Sequence, residues 1–107
     1  MNKGQLQERC LEFAGFECYN AKLDIWLKPD GERTTPHLLD YPDFINSVDA
    51  HVKWTVPKLS YFYTEDCAGG WIVKLSVNMK DEFEVLNKSL ALAICEAIWE
   101  LTEKGND

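Results

Sequence analysis

The sequence is short of the features that usually announce a metal centre. Its four cysteines, Cys10, Cys18, Cys67 and Cys95, form no C-x-x-C pair and have no histidine at ligand spacing. Histidine itself is scarce, with His37 and His51 the only two. This spacing predicts no metal site, and four reduced thiols that pack as small hydrophobes. The opening Met1-Asn2-Lys3-Gly4-Gln5 carries no charged-then-apolar leader, which predicts a cytoplasmic protein without a disulfide framework. Long apolar runs are also missing. The longest stretch free of Asp, Glu, Lys and Arg is seven residues, as in Ser89 to Cys95, far below the roughly 20 needed for a membrane-spanning helix. Basic residues are few: 11 against 18 acidic ones, a net charge of −7. A basic face supplies most nucleic-acid affinity, so direct nucleic-acid binding is not expected. Gly (6) and Pro (4) are sparse and sit at turns, leaving no linker or low-complexity tract.

What is present describes a globular chain. Hydrophobic residues make up 46% and charged residues 27% of 107 residues, which excludes disorder and predicts a single domain over 1–107. Leu6, Cys10, Phe13 and Ala14 form an apolar stripe that predicts a helix over Lys3 to Ala14, ended by Gly15, with Phe16 packing back. Leu23, Ile25 and Leu27 alternate with Asp24, Trp26 and Lys28 as a strand. Lys28-Pro29-Asp30-Gly31 turns this strand into a return over Glu32 to Thr35. Ser47 reads as the cap of a helix with Val48, His51, Val52, Thr55 and Leu59 inward, ending or kinking near Val56 because Pro57 lacks a donor.

A second hairpin pairs Ser60-Tyr61-Phe62-Tyr63 with the alternating run from Trp71 to Asn78, across a loop from Thr64 to Gly70. Asn78 to Glu84 reads as a polar loop. Asn87 or Ser89 caps a last helix with Leu90, Ile94, Ala97, Ile98 and Leu101 in one stripe, with Lys104 at its negative end and Gly105 closing it. The order α-β-β-α-β-β-α predicts an α+β fold, an antiparallel sheet of about four strands covered by helices.

Three stretches together resemble the phage ABA sandwich domain family. They are Gly15-Phe16-Glu17 with Trp26 and the Pro29-Asp30-Gly31 turn; Tyr41-Pro42 with Ser47-Val48-Asp49-Ala50 and the helix through Trp54 to Lys58-Leu59; and Trp71-Ile72-Val73 with Ser89 to Ala97. The resemblance covers most of the chain and implies an α/β/α sandwich of phage or prophage origin, acting in the host cytoplasm. These are packing and turn motifs, and no functional residue carries over from them. Pro57 and the segment Asp43 to Asn46, which reads as an insertion, depart from the pattern.

No catalytic constellation is legible. Cys67 lies beside Glu65 and Asp66, whose charges disfavour a thiolate, so a Cys-dependent enzyme is a remote alternative. Glu65/Asp66 and Asp81/Glu82 do not match the calcium-loop pattern, and Gly69-Gly70 lacks the Lys and Ser/Thr of a phosphate loop. No cofactor is expected. The aromatics carry more information. Trp26 is out of phase with its apolar neighbours, and Tyr61 and Tyr63 share a face opposite Phe62. In a sheet covered on both sides these form a two-sided core; otherwise Trp26, Tyr61 and Tyr63, with Glu65 and Asp66, form a binding surface.

From Glu65 onward the chain holds nine acidic residues against four lysines. The expectation is a non-enzymatic accessory protein that contacts a host or phage protein, with inhibition of a host factor as its sharpest form. The alternative is a nucleotide- or metabolite-binding protein, with Arg33, Lys53, Lys58 and Lys74 as phosphate donors.

Overall fold

Asn2 starts the first helix, α1 (Lys3–Ala14), through a reciprocal cap: its side chain accepts from Gln5 N–H at 2.9 Å, and Gln5 Oε1 accepts from Asn2 N–H at 2.8 Å. A computed structural model describes residues 2–105, with side chains through Glu103. Gly15 takes the left-handed conformation (φ 100°) that ends α1, and Phe16 turns back into the core. Leu6, Cys10, Leu11 and Ala14 are the buried face.

Three short strands follow. β1 (Glu17–Asn20), β2 (Ile25–Leu27) and β3 (Arg33–Thr34) form one antiparallel sheet in the order β1-β2-β3. The Lys28–Gly31 turn is as its residues dictate: Gly31 sits at φ 90°, and Asp30 Oδ1 accepts from Glu32 N–H at 2.9 Å. β1 was not expected. Leu23, read as the start of a strand, lies instead in the turn before β2, because Asn20 Oδ1 accepts from the N–H groups of Lys22 and Leu23. Such an Asx turn competes with the ladder and wins here.

The helix α2 (Val48–Trp54) is capped by Ser47, whose side chain accepts from Ala50 N–H, and a 3-10 turn at Val56–Lys58 takes up Pro57. His51 and Thr55 point inward, whereas Val52, expected beside them, is exposed. A seven-residue helix presents a narrow inner face, and position 52 falls outside it. The apparent insertion Asp43 to Asn46 has a structural duty. Gln7 on α1 accepts from Phe44 N–H and donates to Pro42 O, and this clamp drives Phe44 into the core as the largest fully buried side chain among the described residues.

The second sheet is larger. β4 (Tyr61–Cys67), β5 (Gly70–Ser76) and β6 (Phe83–Asn87) run antiparallel in that order. Thr64 to Cys67, expected in a loop, continue the ladder to Cys67↔Gly70, so the turn shrinks to Ala68-Gly69. Phe83 and Glu84, expected in the Asn78 to Glu84 loop, instead begin β6, where Phe83 and Val85 face inward and Glu84 and Leu86 outward. Ser89 caps the final helix, α3 (Leu90–Gly105), by accepting from Leu92 N–H. The dipole role expected of the Lys104 side chain lies outside the described side chains.

The α+β class holds, but two expectations are corrected. Among the described residues six strands form two three-stranded sheets rather than one sheet of about four, and the order is α-β-β-β-α-β-β-β-α. The helices also do not sandwich the larger sheet. Leu75, Val73 and Val85 pack against α3, α1 packs on α3, and the other sheet face stays open. Each hairpin recruits a short third strand, β1 or β6, whose few residues give a weak pattern in the sequence.

Candidate functional site

Strand alternation sorts the larger sheet into two faces. Phe62, Thr64, Val73, Leu75, Phe83 and Val85 share the face covered by α3. Tyr61, Tyr63 and Glu65 on β4, Ile72 and Lys74 on β5, and Glu84 and Leu86 on β6 share the opposite face. There Tyr61 is 37%, Tyr63 41% and Leu86 57% exposed. Lys74 lies between them, 3.8 Å from Glu84 and 5.7 Å from the centre of the Tyr63 ring. Tyr61 also borders a hollow of about 170 Å³ lined with Ser76, Met79, Lys80 and Glu82. β4 is an edge strand, with β5 as its one neighbour.

The structure therefore divides the residues singled out from sequence. Tyr61, Tyr63 and Glu65 lie together on the open face; Asp66 is exposed at the far end of the same strand, on the other side of the sheet. Trp26 does not join them. It is 3% exposed, belongs to the buried core cluster, and its Nε1–H donates to Asp24 Oδ1 at 2.9 Å. Its place opposite Ile25 and Leu27 puts the ring on the buried side, and those two are only half-buried. Of the phosphate donors proposed for a ligand, Arg33 stacks on Tyr19, Lys53 on Trp54, and Lys74 pairs with Glu84.

A second constellation was not anticipated. Cys10 on α1, His51 on α2 and Cys95 on α3 are wholly buried, and their ligand-forming atoms all lie within 4.8 Å of one another. Cys95 Sγ stands 3.4 Å from His51 Nε2 and 3.2 Å from the carbonyl oxygen of Phe44. His51 Nε2 is 2.9 Å from that same oxygen, and Nδ1 is 2.8 Å from Thr55 Oγ1. The hydrogen bond from Cys10 draws the Cys95 thiol down to about 6, with His51 adding to the effect against the opposing cost of burial. Cys10 is pushed up by that bond and by desolvation.

Sequence spacing hid this cluster, since 41 residues separate Cys10 from His51 and 44 separate His51 from Cys95. The one usable signal was that all three lie on inward stripes of helices. The other two thiols part from the expectation of four buried ones. Cys18 is exposed, and Cys67 is half-buried at the end of β4. Both sit on the short or polar strands whose faces are incompletely covered. No protein-family model, curated protein or solved structure matches this chain.

Proposed function

We propose that this is a non-enzymatic accessory protein, of the phage or prophage origin its resemblance implies, that acts by protein–protein contact through the open face of sheet β4-β5-β6. The observation that supports this reading is the exposure of Tyr61 and Tyr63, side by side on an edge strand, on a sheet face that no helix packs against. Tyrosine is the kind of residue that anchors interfaces, because it buries a large rigid ring and keeps a polar tip. An edge strand adds a row of backbone donors and acceptors that a partner strand can extend.

Charge selects the occupant. Glu65 and Glu84 flank the tyrosines, Asp81 and Glu82 lie in the loop before β6, and the chain carries −7 overall. A second copy would bring like charge onto like, whereas a basic protein with an apolar centre complements the face. Such a partner is steered by long-range attraction, so association weakens with salt.

Affinity capture from host-cell lysate at low and high salt tests this, using wild type, Tyr61→Ala/Tyr63→Ala and Glu65→Lys/Glu84→Lys. The expected result is one basic protein near stoichiometry at low salt, lost at high salt and lost by either variant. Capture that both variants retain removes the face from the reading, and tight binding indifferent to salt removes its electrostatic part. Sedimentation that shows a dimer broken by the tyrosine substitutions assigns the face to a second copy instead.

A further inference from the structure

The Cys10–His51–Cys95 cluster gathers two thiols and an imidazole, all buried, within 4.8 Å of one another. Thr55 Oγ1 lies 3.3 Å from the His51 carbonyl, the position from which a helical threonine donates to the residue four back. His51 Nδ1 lies 2.8 Å from the same Oγ1, and Nε2 lies 2.9 Å from the Phe44 carbonyl oxygen. The two thiol sulfurs converge on the same point from α1 and α3.

We propose that Cys10 Sγ, Cys95 Sγ and His51 Nε2 bind one thiophilic divalent cation of the zinc class, with the Phe44 carbonyl oxygen as the fourth donor. Two thiolates and an imidazole are the donor set that favours Zn²⁺ over hard cations. Tetrahedral bonds of about 2.3 Å to sulfur and 2.0–2.1 Å to nitrogen and oxygen imply donor–donor edges of roughly 3.4–3.8 Å. The observed 3.4 Å (Cys95 Sγ–Nε2), 3.2 Å (Cys95 Sγ–O) and 2.9 Å (Nε2–O) fall short of these by only a few tenths of an ångström, and Cys10 Sγ lies within 4.8 Å of both Cys95 Sγ and the imidazole.

The bond from Nδ1 to Thr55 is the outer support that metal-binding histidines use to fix ring and tautomer, which makes Thr55 a positioning residue. The site is closed, because all three side chains are inaccessible. Its role is therefore structural: it ties α1, α2, α3 and the Phe44 segment at one point. Binding releases whatever protons the thiols still carry, and any cation that binds only the folded chain stabilises it by mass action.

The test is titration of reduced, chelator-stripped full-length protein with Co²⁺, followed by displacement with Zn²⁺. Wild type and Cys18→Ser/Cys67→Ser are both expected to take up one Co²⁺ per chain. The spectrum is that of tetrahedral, thiolate-bound cobalt, Zn²⁺ bleaches it, and added Zn²⁺ raises Tm. Cys10→Ala or Cys95→Ala should remove or halve the sulfur-to-cobalt absorption. Thr55→Val should weaken affinity about 10–100-fold while leaving the spectrum tetrahedral. The proposal is overturned by an octahedral or absent spectrum in wild type. Loss of the spectrum in Cys18→Ser/Cys67→Ser, or its survival in both alanine variants, also overturns it. So does a native mass showing Cys10 and Cys95 joined as a disulfide. Should the alanine variants fail to fold, the spectra of wild type and Cys18→Ser/Cys67→Ser decide the matter.

Discussion

Replacing Gly70 by alanine is expected to cost this protein about 2–5 kcal/mol, the sum of two separable effects. Gly70 opens β5 at φ 129°, a backbone region that strains an L-residue by about 1–2 kcal/mol. An added Cβ would also lie 2.5 Å from the carbonyl oxygen of Asn87 and 2.8 Å from Asn87 C and Lys88 Cα. Those are backbone atoms, so no rotamer change relieves the contact. The end of β6 has to move, and with it Asn87, whose Oδ1 accepts from Ser89 N–H just before α3. Overpacking of this kind costs about 1–3 kcal/mol.

Gly31→Ala isolates the first effect. Gly31 also has positive φ (90°), but a Cβ there meets nothing within 4 Å, so its loss should stay near 1–2 kcal/mol. Equilibrium urea unfolding of both variants, followed by circular dichroism, reads the difference as a shift in midpoint at constant slope. Equal losses would refute the claim that close approach of β6 dictates glycine at position 70. The outcome bears on function, because the Cys67↔Gly70 pair closes the hairpin that presents Tyr61 and Tyr63.

Three further predictions concern the core and its rim. Trp26→Ala should destabilise by about 3–5 kcal/mol while Tyr63→Ala stays within about 1 kcal/mol, measured by thermal or urea unfolding; the reverse order would restore Trp26 to the surface. Phe44→Ala should cost about 3–5 kcal/mol by the same assay, since it empties a fully buried position that the Gln7 clamp holds in place. The Asp40 carboxyl is held below the usual carboxylate range by its bonds from Lys28 and Thr34, and Lys28 is raised by Asp40 and Glu32. The lowered Asp40 favours folding above the ordinary carboxylate pKa and loses that effect as pH falls through its folded value; the raised Lys28 loses its effect as pH rises through its own. Tm measured against pH should therefore show a smaller acid-side decline for Asp40→Asn than for wild type, and parallel curves would contradict this.

Local chemistry decided much of this fold before any tertiary contact. The cap-to-glycine span of α1, the Pro29-Asp30-Gly31 turn, the Ser47 cap and the apolar stripe of α3 all follow from short-range rules, and each stands where its residues placed it. Short polar strands did not announce themselves. β1 and β6 pair through backbone groups that every residue carries, so their register depends on a neighbouring strand and leaves little trace in side-chain pattern.

The same division holds for function. Alternation showed that Tyr61 and Tyr63 share a face, but only packing decided that this face is open while that of Trp26 is filled. The meeting of Cys10, His51 and Cys95 was wholly a tertiary event. Each residue sits on the inner stripe of its own helix, which sequence reveals; which stripes meet, and at what height, depends on how three helices pack around Phe44. Periodicity specifies a face within one element, whereas the partner of that face is chosen by shape and volume across the whole core.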